Sequence, residues 1–71
     1  MQGKIEWFNK ERGFGFITPD EDAGNIFFHV TNVDTRSRET LENNLKDNQR
    51  ASYDLQDTPK GPAAVNVRLH G

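Results

Sequence analysis

Apolar and polar positions alternate with period two in five stretches of the chain, and that period predicts strands. Lys4 to Phe8 contains Ile5, Trp7 and Phe8. Gly13 to Thr18 reads Gly-Phe-Gly-Phe-Ile-Thr, and Asn25 to Val30 reads Asn-Ile-Phe-Phe-His-Val. Arg50 to Gln56 alternates through Ala51, Tyr53 and Leu55, and Ala63 to Leu69 through Val65, Val67 and Leu69. The gaps between them carry turn chemistry. Asn9 to Arg12 is a short polar turn, Pro19 to Gly24 an acidic hairpin loop with Asp20, Glu21 and Asp22, and Thr58 to Pro62 a Thr-Pro-Lys-Gly-Pro turn. A long polar connection runs from Thr31 to Asn48. Leu41 and Leu45 stand four apart in it, the spacing of one helical turn.

Three strands, a long connection and two further strands suit a small closed barrel. The expected class is all-β, a five-stranded antiparallel Greek-key barrel of the OB-fold kind. An SH3-like barrel is the alternative architecture. One domain is expected across all 71 residues, which leave no room for a second.

Alternate side chains of a strand share a face. Phe14 and Phe16 therefore lie together, with Ile17 opposite; Phe27 and His29 lie together, with Ile26 and Phe28 opposite. Putting Ile17, Ile26 and Phe28 in the core turns Phe14, Phe16, Phe27 and His29 outward on antiparallel neighbours. Aromatic residues in β-rich chains usually fill cores, but here burying the outward set would expose Ile17, Ile26 and Phe28 instead. A surface patch of rings marks a binding site. Gly13 and Gly15 are expected to clear space beside Phe14 and Phe16 for a flat ligand.

Composition narrows the class of ligand. Hydrophobic residues make up 32% and the formal net charge is −2, so bulk attraction to phosphate cannot dominate. Stacking can, because every nucleobase has a π-face; in a duplex those faces are already taken, so single strands are favoured. Lys4, Lys10, Arg12 and Lys60 flank the aromatic strands as candidate phosphate contacts. About three neutralised phosphates would give a salt slope of roughly −2. There is no cysteine, which excludes disulfides and thiolate metal sites and favours a reducing, cytoplasmic setting. Met1 to Trp7 has no apolar run and reads as neither signal peptide nor membrane anchor.

Catalytic and metal chemistry find little support. His29 has only His70 for company, with no ligand spacing. Gly-Phe-Gly-Phe lacks the third glycine of a dinucleotide fingerprint, and no Walker lysine motif exists. Ser37 and Ser52 lack a triad arrangement. The acids at 20–22 read as a solvated loop. No enzyme activity, cofactor, metal, small-molecule substrate or membrane partner is expected.

The residues now resemble the bacterial cold-shock protein family over nearly the whole chain. The resemblance is carried by Gly3-Lys4-Ile5 with Trp7-Phe8-Asn9, by Arg12-Gly13-Phe14-Gly15-Phe16-Ile17, by Ile26-Phe27-Phe28-His29 and by Gly61-Pro62-Ala63-Ala64-Val65-Asn66-Val67. It implies an OB-type barrel that binds single-stranded RNA and DNA as an RNA chaperone. It also implies base stacking by Trp7, Phe14, Phe16, Phe27 and His29, basic positions at Lys4, Arg12 and Lys60, and a polar position at Asn9. Phe8 fits either platform or wall. The chain departs from the family pattern at Glu6, where a basic residue is common, and at Val30, where a phenylalanine often follows the histidine. Arg38 stands where a loop aromatic is expected; its guanidinium plane can stack on a base. The 42–50 segment is longer than usual. These departures imply a shorter footprint or weaker affinity. A protein-interaction barrel using the same aromatic patch is the rival function; a monomer is the default state.

Overall fold

The computed structural model describes residues 1–21, 24–43 and 45–70. Asp22 of the acidic loop and Asn44 of the long connection lie outside the described residues. Five strands form: β1 (Gln2–Asn9), β2 (Phe14–Pro19), β3 (Ile26–His29), β4 (Arg50–Thr58) and β5 (Gly61–His70). A 3₁₀ turn at Val30–Asn32 and helix α1 (Thr35–Asn43) fill the connection between β3 and β4. The strands close into a barrel in the order β1-β2-β3-β5-β4, with β4 returning to β1. This is an all-β OB-type barrel. The β1–β2, β2–β3, β4–β5 and β1–β4 ladders are antiparallel. Closure between β3 and β5 is short and parallel, pairing Phe27 with Ala63 and Phe28 with Ala64.

The barrel interior is built from Ile5, Ile17, Phe28, Ala51, Tyr53, Ala64 and Val67, with Val33 and Leu41 joining from the connection. Ile17 and Phe28 are fully buried, as alternation places them, while Ile26 sits part-buried at the rim. Each large side chain removed from water contributes about 1.5–3 kcal/mol.

The helix differs from the expected Leu41–Leu45 turn. It runs earlier, ends at Asn43, and leaves Leu45 exposed beyond it. Its inward pair is Ser37 and Leu41, which share a face at a spacing of four. Ser37 is there for its hydroxyl, which accepts the Leu69 backbone N–H at 2.9 Å. The contact docks the helix on β5 by satisfying a donor that β4 does not take.

Gly15 has a different job from clearing the surface for a ligand. It faces inward, where a Cβ would lie 2.2 Å from the Trp7 carbonyl oxygen and 2.9 Å from Phe28 Cε1. Only glycine lets β1 and β2 approach this closely around the Phe28 ring. Gly13 ends the turn at residues 10–13 with φ of 74°, a left-handed conformation that favours glycine.

Candidate nucleic-acid interface

One irregularity in β1 assembles the aromatic face. Gly3 and Ile5 point into the barrel, so strict alternation would send Trp7 inward as well. Instead Ile5 pairs with Ile17 and Trp7 with Phe16, leaving Glu6 as an extra residue in β1. This β-bulge reverses the alternation. Glu6 and Trp7 both end up exposed, and Phe8 turns inward. Phe8 stacks on Phe28 with centroids 6.0 Å apart and planes at 14°, so it belongs to the wall.

Trp7, Phe14, Phe16 and Phe27 form one connected group of rings. Trp7 lies 5.6 Å from Phe14 and 6.0 Å from Phe16, the latter pair near-parallel at 27°. Phe27 meets Phe14 at 5.7 Å and Phe16 at 6.2 Å, both edge-on at 73°. Phe14 and Phe16 are 6.4 Å apart. These separations are those of favourable aromatic pairs. Trp7 is 47% and Phe27 40% exposed; Phe14 and Phe16 are part-buried because the other rings flank them. The group is held as a unit, yet offers ring surface to solvent.

His29 ends β3 opposite Phe14 in register. Its Nδ1 accepts the Thr31 backbone N–H at 3.2 Å and lies 3.0 Å from the Thr31 hydroxyl. In the neutral ring this assigns the proton to Nε2.

The polar candidates fall into three groups. Lys4 and Trp7 line one groove with Glu6, Leu45, Lys46, Asp47 and Asn48, and Lys4 Nζ reaches Asn48 Oδ1 at 3.4 Å. At the other end of the ring group, Lys60 shares an apolar hollow with Phe27, Pro62 and Ala63. Lys10 and Arg12 are exposed in the β1–β2 turn. Asn9 shapes that turn: its side-chain oxygen accepts the Arg12 N–H at 3.0 Å, and its carbonyl accepts the Gly13 N–H at 2.8 Å.

Arg38 is tied to the backbone instead. Its Nε donates to the Val33 carbonyl at 3.1 Å and its second guanidinium nitrogen to the Thr31 carbonyl at 3.4 Å. Both bonds stitch α1 to the 3₁₀ turn and are not directed at the rings. Val30 packs against the core. Lys46, Pro62 and Ala63 are neighbours of the ring face that the sequence reading missed. The length of the 42–50 segment was the one signal for Lys46, and the Gly-Pro turn the one for Pro62.

The profile of the 'Cold-shock' DNA-binding domain family matches residues 1–70. The chain belongs to this family. Its relatives include the probable cold shock protein A of Mycobacterium tuberculosis, 40% identical over 94% of each chain. The cold shock protein of Arthrobacter globiformis is 41% identical over 96% of each chain. The cold shock-like protein CspG of Escherichia coli K12 is 39% identical over 94% of this chain and 90% of its own. Among solved structures, drosophila Unr CSD456 superposes with a TM-score of 0.71 at 24% identity, covering 99% of this chain and 26% of that one. At that identity the likeness speaks for the fold. Family membership establishes the coarse function, nucleic-acid binding. Among the described residues no group of three or more His, Asp or Glu is placed to hold a metal, and no helix is long and apolar enough to cross a membrane.

Proposed function

We propose that this protein binds single-stranded RNA and DNA by stacking unpaired bases on Trp7, Phe14, Phe16, Phe27 and His29, and that it acts as a cytoplasmic RNA chaperone. The observation that carries this reading is the continuous, solvent-facing ring group on β1, β2 and β3. A stacked base is worth about 1–3 kcal/mol, so three give about 3–9 kcal/mol before ordering costs, enough for affinities of about micromolar. Lys4, Lys10, Arg12 and Lys60 would contact phosphates, with Asn9 holding the turn that presents two of them. Arg38 contributes by fixing the loop rather than by stacking.

The mechanism is mass action. A protein that binds open strands and not paired ones shifts the equilibrium toward open RNA. Binding uses no nucleotide hydrolysis and no cofactor, and a single domain acting as a monomer suffices.

Trp7 reports on the site directly. Titration with oligothymidine should quench its fluorescence, and saturating protein should increase the unpaired fraction of a weak RNA hairpin. Quenching without hairpin opening would leave strand binding and remove the chaperone role. Unchanged fluorescence, with binding absent by a second method, would give the ring face to a protein partner instead.

A further inference from the structure

The bulge that turns Trp7 outward places a carboxylate beside it, on a face meant for a polyanion. Glu6 is exposed and lines the same groove as Lys4 and Trp7, a space of about 460 Å³. One hydrogen bond orients its carboxylate. Thr18 lies two residues beyond Phe16 on β2 and shares its face, and the Thr18 hydroxyl is 3.0 Å from Glu6 Oε2. The same hydroxyl is 3.0 Å from the Asn25 side-chain oxygen. A hydroxyl has one proton, and the charged carboxylate is the stronger acceptor. Thr18 therefore donates to Glu6, and Asn25 satisfies the hydroxyl oxygen through its amide in the flipped orientation. The Asn25–Thr18–Glu6 chain occupies one lone pair of Oε2 and leaves the carboxylate's remaining acceptor capacity unused by the described residues.

Resting on the stacking reading, we propose that Glu6 is a specificity-determining residue that reads the edge of the base lying on Trp7. It favours bases with an exocyclic amino group, cytosine over uracil. Stacking alone discriminates weakly between two pyrimidines. A carboxylate does discriminate: the cytosine N4 amino group donates to it, whereas uracil presents O4 at that position, acceptor against acceptor. Glu6 thus trades phosphate attraction for base choice.

The test is titration of Trp7 fluorescence with the RNA hexamers rC6 and rU6 at neutral pH. The wild-type protein should bind rC6 roughly fivefold or more tightly, the low end for one base-edge contact. Glu6→Gln should bring the ratio close to one, because an amide donates to O4 as readily as it accepts from N4. Thr18→Val keeps the carboxylate but releases it, and should also lower the ratio while circular dichroism shows an intact barrel. Equal binding of the two hexamers by wild type would overturn the proposal. So would a Glu6→Gln variant that binds both more tightly by the same factor, since the carboxylate then only repels phosphate. Binding of neither hexamer would overturn the stacking reading and this proposal with it.

Discussion

Phe27→Ala tests whether that ring serves binding or packing. A fully buried phenylalanine cut to alanine costs about 3–5 kcal/mol of stability. Phe27 has 40% of its surface in water, and scaling by the covered part gives about 2–3 kcal/mol. Its ring contacts, Phe14 and Phe16, are themselves part-exposed, so water fills the gap and no sealed cavity remains. The expected loss is then about 1–2 kcal/mol, against roughly 4–10 kcal/mol of total stability for a chain of this size. The barrel should stay folded. Binding of a short single strand should weaken by about 1–3 kcal/mol, or roughly 5- to 150-fold. Phe28→Ala is the control one residue away: fully buried, it should lose about 3–5 kcal/mol and much of the folded population. Urea titration followed by circular dichroism measures the first quantity, and oligonucleotide titration of the folded fraction the second. If Phe27→Ala unfolds the barrel as Phe28→Ala does, or leaves affinity unchanged, the division of β3 into a binding face and a packing face is wrong.

Other expectations follow from single contacts. Gly15→Ala drives a Cβ into the Trp7 carbonyl and should cost about 1–3 kcal/mol by urea denaturation, with Trp7 emission shifted as β1 moves. Ser37→Ala removes the acceptor of the Leu69 N–H and should cost about 1–3 kcal/mol, whereas Ser37→Thr keeps an acceptor and should cost less. Asp20 is held below its usual pKa by the hydrogen bond and charge of Arg50. Its contribution is therefore present above the unfolded carboxylate value and lost as pH falls through the folded one; Arg50→Ala should lower the melting temperature slightly at neutral pH and leave it unchanged below the folded value, flattening that part of the acid limb, as read from melting temperature against pH. Glu6→Lys should steepen the salt dependence of oligonucleotide binding by about one in slope.

The strands were legible because the barrel buries one face of each, and alternation records that choice. Ile17 and Phe28 follow from it directly. Trp7 does not: counted from Ile5 it belongs inside, and only the bulge at Glu6 sends it out. A bulge inserts a residue without a sequence mark that periodicity can register. Its trace was the family resemblance, which named Trp7 without explaining it. Gly15 was misread for a related reason, since its inward-facing constraint comes from the Trp7 carbonyl across the ladder and not from its own strand. The helix hid because its buried side is one leucine and one serine. Ser37 looks like surface until the Leu69 N–H is found beside it. Arg38 is similar: nothing local announces that its partners are the carbonyls of Thr31 and Val33.

The ring face is proposed to receive unpaired bases. Amide and aromatic chemical shifts of the labelled protein, followed residue by residue as a short single-stranded oligomer is added, test it most directly. Perturbations should gather at Trp7, Phe14, Phe16, Phe27 and His29, and should fade when the complementary strand is supplied. Perturbations centred instead on the separate hollow lined by Pro19, Ile26 and Leu55, or persisting undiminished with duplex, would contradict it.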